Sequence, residues 1–532
     1  MTENISKYFD KNHFRITFLL ILFGTIIRFL GISIIPGGLN QDEASIGYEA
    51  FSLLYDGADR NGVKYPVHFI SWGSGQNALY AYLSMPVIKF FGLNLFSIRF
   101  INALFSSLSL LLFYYLFKLA FSKKVALFSL SFLVICPWSI MSARWGLEAN
   151  IFPVLFLSGT LFLFKAIKEK QRYYIIASFC FALSLYSYGT SYLVIPLFFL
   201  QIACYLIYFQ KISIKYAIGS FLLFLLIALP IILFVFINHF DFPQMELWGL
   251  TIPRMPENRT IVIFNLFSSD FPLNLLKNTI RFSSIFFLQT DNLFYNAVPA
   301  FGLIYHISLP FFFIGLFNIL RSKNKCFEPI NFIMLAWFIS SFILGITANI
   351  NINRINIILF PTTYFTLLGL LYIKDFFREE YQYGLKKFLF LFYSISFLLF
   401  AGYYVSFFNK EYKKYFCYGL GEAIEYVNDK YPTATINVTT HSINMPYIYV
   451  CFYEQTPPNF FRETVIYDEN SEAAFKKVLA FGRYKFKAYD KLDENEVTIV
   501  SDDEFSFSNN LKDREYKRFG NYYVISTIEQ SL

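Results

Sequence analysis

The sequence predicts a mainly α-helical, polytopic membrane protein that ends in a small extracytoplasmic α/β domain. Three observations predict it. Of 532 residues, 56% are hydrophobic and only 15% are charged, whereas a soluble chain carries about a quarter charged residues. Apolar runs of about twenty residues recur along the chain, each long enough to cross about 30 Å of hydrocarbon. The short stretches between them hold clusters of Lys and Arg. The formal charge of +8 therefore reads as a topology signal and not as a nucleic-acid footprint.

In order, the apolar runs fall at 14–35, 97–120, 123–140, 150–167, 173–191, 193–210, 216–237, 299–320, 331–348, 355–373 and 387–408, which gives about eleven spans. The first has no small-residue cleavage site and reads as a retained anchor. Basic residues precede the first span (Lys7, Lys11, Arg15) and then fill alternate loops, for example Lys165 to Arg172 and Lys374 to Lys387. Alternate basic loops place the N-terminus in the cytoplasm and the tail outside, in a cell membrane.

The outer parts are long. Loop 36–96 carries amphipathic stretches near 44–55 and 76–91, which read as interfacial helices. Loop 238–298 opens with three prolines and ends in an apolar-rich stretch near 272–288. Residues 1–408 read as the membrane module and 409–532 as a soluble segment. In the tail, 422–428 reads as part of a helix, and 435–440, 485–489, 497–500 and 522–526 as strands. The six cysteines are scattered without CxxC spacing or a Cys/His cluster. They imply neither a metal centre nor a disulfide framework, and Cys417 and Cys451 read as free thiols.

The stretch Asn40-Gln-Asp-Glu-Ala-Ser-Ile-Gly-Tyr-Glu-Ala-Phe51 follows directly on the first span. Asp42 and Glu43 there read in two ways. They can cap an interfacial helix together with Asn40, or one can serve as a general base at the membrane surface. Arg28, Arg99, Arg144 and Arg354 lie at outer ends of spans, against the charge rule. They either pair with carboxylates or grip an anionic lipid head group, since a guanidinium matches phosphate oxygens in a fork. Glu148, at the outer mouth of the fourth span, is either an acid favoured at a helix N-terminus or a second acid that orients an acceptor. The aromatic, Gly-rich stretch 66–77, with His68, and Tyr80 and Tyr82 after it, either stacks on a sugar or forms an interfacial aromatic belt. No P-loop and no GxGxxG between a strand and a helix occurs, so neither a nucleotide fold nor a cofactor is expected, and His68 does not read as a metal ligand.

These features resemble the GT-C membrane glycosyltransferases. The text Asp-Glu-Ala-Ser-Ile-Gly-Tyr-Glu-Ala-Phe, then Asn-Gly-Val-Lys-Tyr-Pro-Val-His-Phe, then Ala-Leu-Tyr-Ala-Tyr-Leu is similar to glycosyltransferase family 39. That family includes protein O-mannosyltransferases and bacterial aminoarabinose transferases, and the likeness, to a bacterial branch, covers about 14–170. The resemblance implies transfer of a sugar, with inversion, from a polyprenyl-phosphate donor to an extracytoplasmic glycan, lipid or protein. It implies Asp42 as the base, Glu43 as its neighbour and Glu148 as the second acid. The chemistry fits the residues independently: a departing polyprenyl phosphate needs positive charge, which Arg144 and Arg354, joined by Arg99, are placed to supply. Ser-Gly-Gln-Asn-Ala-Leu at 74–79 departs from the Lys-Pro-Pro-Leu of the aminoarabinose transferases. That departure speaks against the lipid A acceptor and the aminoarabinose donor. Two other readings remain: a transporter or flippase of lipid-linked saccharides, and a polymerase or ligase using Arg254, Arg259, Lys277 and Arg281 of the second outer loop.

Overall fold

The structure, a computed structural model, describes residues 2–257, 270–472, 475–489, 496–507 and 515–526. Arg259 lies outside them. The helices in chain order are α1 (Thr2–Phe29), α2 (Gln41–Asp56), α3 (Leu79–Phe91), α4 (Leu95–Ala120), α5 (Lys123–Ile135), α6 (Pro137–Ala143), α7 (Phe152–Lys168), α8 (Tyr173–Ser184), α9 (Ser191–Tyr208), α10 (Ile214–His239) and α11 (Phe271–Leu288). There follow α12 (Leu309–Leu320), α13 (Lys323–Cys326), α14 (Pro329–Thr347), α15 (Ile352–Ile355), α16 (Leu359–Phe376), α17 (Glu379–Tyr403), α18 (Asn409–Tyr415), α19 (Leu420–Lys430), α20 (Tyr447–Tyr453), α21 (Pro458–Thr464) and α22 (Asp502–Phe507).

The protein is a multi-pass membrane protein, but the count of spans differs from the expected eleven. Among the described residues, eight helices are long and apolar enough to cross a membrane, or nine if the pair α5 and α6, bent by 58°, is one span. Pro137 causes that bend, because it has no N–H to continue the ladder and so opens a new helix instead. The difference lies in length rather than place. The runs at 173–191 and 299–320 do form apolar helices, Tyr173–Ser184 and His306–Leu320, but these are shorter than eighteen residues. At 1.5 Å per residue, a helix of twelve residues rises only about 18 Å.

The chain forms two compact units. The first comprises Met1–Leu30, Asn102–Leu229 and Thr260–Ser406. Its helices are cemented by aromatic rings, with Phe156 touching Phe181, Phe198 and Trp337 at centroid distances of 4.9, 4.9 and 4.6 Å. Helices α12 and α16 meet backbone to backbone. A Cβ at Gly315 would lie 1.9 Å from the Phe365 carbonyl oxygen, and one at Gly369 would lie 1.9 Å from that of Phe311. Small residues of this kind let membrane helices approach closely enough to gain dispersion energy.

The second unit comprises Gly31–Ile101, Pro230–Arg259 and Phe407–Leu532, so the tail shares a unit with loop 36–96. Its strands are β1 (His68–Phe69) and β2 (Gln76–Asn77), β3 (Met245–Leu247) and β4 (Leu250–Ile252), and β5 (Thr435–Val438), β6 (Ile466–Tyr467), β7 (Val478–Phe481), β8 (Tyr484–Phe486), β9 (Glu496–Ser501), β10 (Tyr516–Phe519) and β11 (Tyr522–Ser526). The seven tail strands form one sheet in the order β10-β11-β9-β5-β8-β7-β6. Strand β5 is parallel to both its neighbours, with Ile436 beside Tyr484 and Val497, and the other pairs are antiparallel. Helix α2 is buried within this unit. Gly47 lies so close to the Phe452 ring that an added Cβ would sit 2.6 Å from it, and the Tyr48 hydroxyl donates to the Thr456 carbonyl at 2.9 Å. All six cysteines are free thiols.

The Gly315–Gly369 contact yields a stability test. Gly369→Ala forces α12 and α16 apart, at a cost of about 1–3 kcal/mol or more for an overpacked site. It should lower the unfolding temperature of the detergent-purified protein by several degrees. Gly402→Ala should leave that temperature unchanged, because nothing lies within 4 Å of a Cβ there.

Candidate functional site

Helix α2 begins at a capping box. Asn40 is the N-cap, its side-chain oxygen accepts from the Asp42 N–H at 2.9 Å, and the Glu43 carboxylate accepts from the Asn40 N–H at 3.1 Å. The capping role assigned to Asn40 is therefore present. It does not engage the Asp42 side chain.

Glu43 is fully buried and clamped by Arg99 of α4. The guanidinium donates through Nε to Oε1 at 2.7 Å and through Nη2 to Oε2 at 2.9 Å. The remaining donors reach the carbonyls of Ile32 and Pro36, at 2.8 and 2.7 Å, and of Gly38 at 2.7 Å. A guanidinium has five N–H groups, and all five are occupied. Of the two expectations for Arg99, pairing and phosphate binding, the structure gives it pairing.

Asp42 differs from its neighbour. Its side chain is half-buried, and among the described residues its carboxylate makes no hydrogen bond or ion pair. Removal from water, and secondarily the charge of Glu43, pushes its carboxyl up to about 6. One of two adjacent carboxylates is thus locked, and the other is left available near neutral pH.

A second buried cluster was not legible beforehand. Arg60 pairs with Glu49 of α2, Nε to Oε1 at 3.2 Å, and its backbone N–H donates to Glu49 Oε2 at 2.9 Å. The same guanidinium donates to Ser45 and Ser71 at 3.2 and 3.0 Å and lies 4.3 Å above the Trp72 ring. Asp59 is buried beside them. Its Oδ1 accepts from the N–H groups of Asn61 and Val63, its Oδ2 has no partner among the described residues, and burial pushes its carboxyl up to about 7. The only hint in the sequence was a tight Asp-Gly-Ala-Asp-Arg-Asn-Gly turn.

The other expected residues are placed as follows. Tyr80 is fully buried and its hydroxyl donates to the Ile98 carbonyl at 2.6 Å, and Tyr82 donates to Pro66 at 3.0 Å. His68 is buried, bonded to the Phe69 carbonyl at 3.1 Å and stacked 4.3 Å from Phe234, and burial lowers its ring to about 4. All three serve packing here, and Trp72 lies under Arg60, so this stretch holds its own loop together instead of presenting open rings.

In the membrane unit, Arg28 and Arg144 are buried on protein groups. Arg28 donates to the hydroxyls of Ser106 and Ser139 at 2.8 and 2.6 Å. Arg144 donates to the carbonyls of Ile27 and Leu30, both at 2.8 Å, at the end of α1. Glu148 opens a short 3₁₀ turn ahead of α7 and is 7% exposed. Of Arg28, Arg99, Arg144 and Arg354, only Arg354 is exposed, and it shares Asn349 with Arg281. Arg354 donates to the Asn349 carbonyl at 2.8 Å and Arg281 to its side-chain oxygen at 2.6 Å. Neither guanidinium has a carboxylate partner among the described residues. Two exposed, unpaired cations held by one asparagine suit a phosphate.

A family model described as dolichyl-phosphate-mannose-protein mannosyltransferase matches residues 77–236. No curated protein matches the sequence. Among solved structures, ArnT from Cupriavidus metallidurans bound to undecaprenyl phosphate is similar at 12% identity, over 96% of this chain and 98% of that one, with a TM-score of 0.58. The same protein in the apo state gives 11% identity, coverage of 96% and 97%, and a TM-score of 0.55. The Archaeoglobus fulgidus oligosaccharyltransferase in the apo form gives 15% identity over 84% of this chain and 64% of that one, with a TM-score of 0.51.

The buried fork predicts a split between neighbours. Arg99→Lys keeps the charge opposite Glu43 but leaves three donors against five acceptors, and should destabilise the protein by about 1–3 kcal/mol for each buried acceptor left unmet. Asp42→Asn should shift the unfolding temperature little. Thermal unfolding in one detergent compares the two.

Proposed function

We propose that this chain, a membrane protein with the fold of the GT-C glycosyltransferases, moves a sugar from a polyprenyl-phosphate donor to a hydroxyl acceptor outside the cytoplasm. The observation that carries the reading is the unpartnered Asp42 carboxylate beside the locked Glu43. In the reaction the acceptor oxygen attacks the anomeric carbon and a new C–O bond forms as the bond to the phosphate oxygen breaks. Asp42 takes the acceptor proton, and the electron pair leaves with polyprenyl phosphate. Attack opposite the leaving group inverts the anomeric centre.

Arg281 and Arg354 stabilise the phosphate as its charge grows. That is where fixed positive charge acts most on the barrier. Arg99 and Arg144 work at one remove, by holding the backbone at the end of the first span and beyond it. Glu148, at the turn before α7, orients the acceptor. With the basic loops in the cytoplasm, the N-terminus is inside and the tail outside, and residues 409–532 act as an extracytoplasmic segment. The acceptor is a glycan, lipid or protein, and the sugar is the one its lipid carrier brings.

Two measurements test this. Asp42→Asn should lower kcat by about 10²–10⁴-fold, the usual worth of a general base, while the donor still binds. A flippase would keep its transport rate in that variant. The base must be ionised, so kcat/KM of the wild type should rise with pH and level off above a midpoint near 6, and the variant should lose that limb. In addition, the double variant Arg281→Ala, Arg354→Ala should weaken undecaprenyl phosphate binding at least tenfold, read by titration in nanodiscs. Unchanged affinity would remove the two arginines from the phosphate site.

A further inference from the structure

A groove of about 570 Å³ runs along the membrane unit between α1, α5, α16 and α17. Its walls are apolar, among them Leu20, Phe128, Leu370 and Leu389. Helix α17 is joined to the others by two edge-to-face ring contacts. Tyr393 meets Phe132 of α5 at 5.4 Å, and Phe397 meets Phe23 of α1 at 6.2 Å. Phe132 and Tyr393 are buried, whereas Phe23 and Phe390 on the rim are 46 and 76% exposed. The groove thus has a packed floor and a side open to hydrocarbon.

Its charge is confined to one end. Lys124 is the second residue of α5, Lys374 stands in the last turn of α16, and Lys386 lies early in α17. These helix ends share one side of the membrane, the cytoplasmic side by the charge rule. Among the described residues no Asp or Glu lines the groove. An ammonium has three donors, so a lysine that also meets a protein group still has donors for a phosphate. Away from the lysines the lining reaches Ile135, at the far end of α5. From Lys124 to Ile135 that helix rises about 16 Å, or about half of the hydrocarbon thickness.

Charge and length together select the occupant. A zwitterionic head group brings its own cation into a mouth that is already positive. An anionic phosphodiester brings only acceptors, which the three ammonium groups can meet. The undecaprenyl chain is far longer than one leaflet, whereas the acyl chain of a phospholipid is one leaflet long and matches the groove. Basic pockets between membrane helices on the cytoplasmic side take anionic head groups of this kind.

We propose that this groove holds an anionic phospholipid of the cytoplasmic leaflet, with an acyl chain along its apolar wall and its phosphodiester at Lys124, Lys374 and Lys386. Such a lipid touches four helices at once and fastens α1 and α5 to α16 and α17. A ligand bound by the folded state alone stabilises that state. The site is independent of the sugar-transfer reading, because it uses none of the residues that serve there.

The test uses the full chain in detergent micelles with three probes: cardiolipin, phosphatidylcholine and undecaprenyl phosphate. Native mass spectrometry reads binding, and thermal unfolding reads stability. The wild type should bind cardiolipin at least tenfold tighter than phosphatidylcholine, and cardiolipin should raise its unfolding temperature. The combined variant Lys124→Gln, Lys374→Gln, Lys386→Gln should lose at least tenfold in cardiolipin affinity, the scale of a few head-group lysines, together with the thermal gain. Should that variant fail to fold, Lys386→Gln alone, at an exposed position, should still lose severalfold. Lys323→Gln with Lys325→Gln, in the basic stretch after α12, should keep the preference. Equal loss in that pair would show attraction to basic charge in general and overturn the site. So would a wild type without preference, or an unchanged preference in the groove variants. Displacement of cardiolipin by an equal amount of undecaprenyl phosphate would overturn the phospholipid as the occupant.

Discussion

The buried guanidinium of Arg99 is the constraint on which the loop after α1 depends. A cation removed from water is tolerated only when its charge and all its donors are met. Here Glu43 supplies the charge and two of the five acceptors, and the carbonyls of Ile32, Pro36 and Gly38 supply the rest. Those carbonyls belong to the chain between α1 and α2, so one side chain fixes the path of that connection and the first turn of α2. Successive residues on a helix point about 100° apart. Turning Glu43 inward to Arg99 therefore turns Asp42 away from it. The pair of adjacent acids is a division of labour enforced by helix geometry.

Much of this was readable from residue order, and the parts that were not have physical reasons. Long apolar runs announce themselves because hydrophobicity sums over twenty positions, and α4, α9 and α14 fall within a few residues of the expected spans. The runs at 173–191 and 299–320 misled in length, because apolar residues continue past the helices formed by Tyr173–Ser184 and His306–Leu320. In the tail, β5, β8, β9 and β11 overlap the β-branched and aromatic runs that marked them. Strand β10, Tyr-Lys-Arg-Phe, did not stand out because it pairs on one side only and is largely exposed, so no alternation of polar and apolar residues was required. The acidic pair was found, but not which member stays open, since that depends on the helix phase. The Arg60–Glu49 pair joins positions eleven apart across a turn, and no periodic pattern encodes such a link.

The arginines show the same limit more sharply. By position, Arg28, Arg99, Arg144 and Arg354 look alike: each stands near an outer end, where the charge rule gives no reason for it. Their fates differ according to which acceptors lie within reach. The last carbonyls of a membrane helix have no intrahelical donor and little water, and Arg144 takes two such groups at the end of α1. Arg28 takes serine hydroxyls and backbone carbonyls inside the membrane unit. Only Arg354 meets a single acceptor and stays in the open, where Arg281 joins it on Asn349. Arg281 carried no signal as a partner of Arg354, because the two are far apart in sequence and meet only through the fold.

The position of Asp42 on the pH scale follows from the same construction. A general base works best when its pKa is as high as its ionisation at working pH allows. A carboxyl near 6 is about nine-tenths ionised at pH 7, yet it is a proton acceptor some two orders stronger than an ordinary exposed aspartate near 3.9. Its elevation has two sources, loss of water and the negative neighbour Glu43. The second source is the charge of Glu43, which the Arg99 fork holds in place beside Asp42. Glu43, which anchors the fork that orders the loop, is thus also the lesser of the two influences on the Asp42 carboxyl, after burial. Substituting Glu43 would therefore act on Asp42 through its charge as well as through the fold.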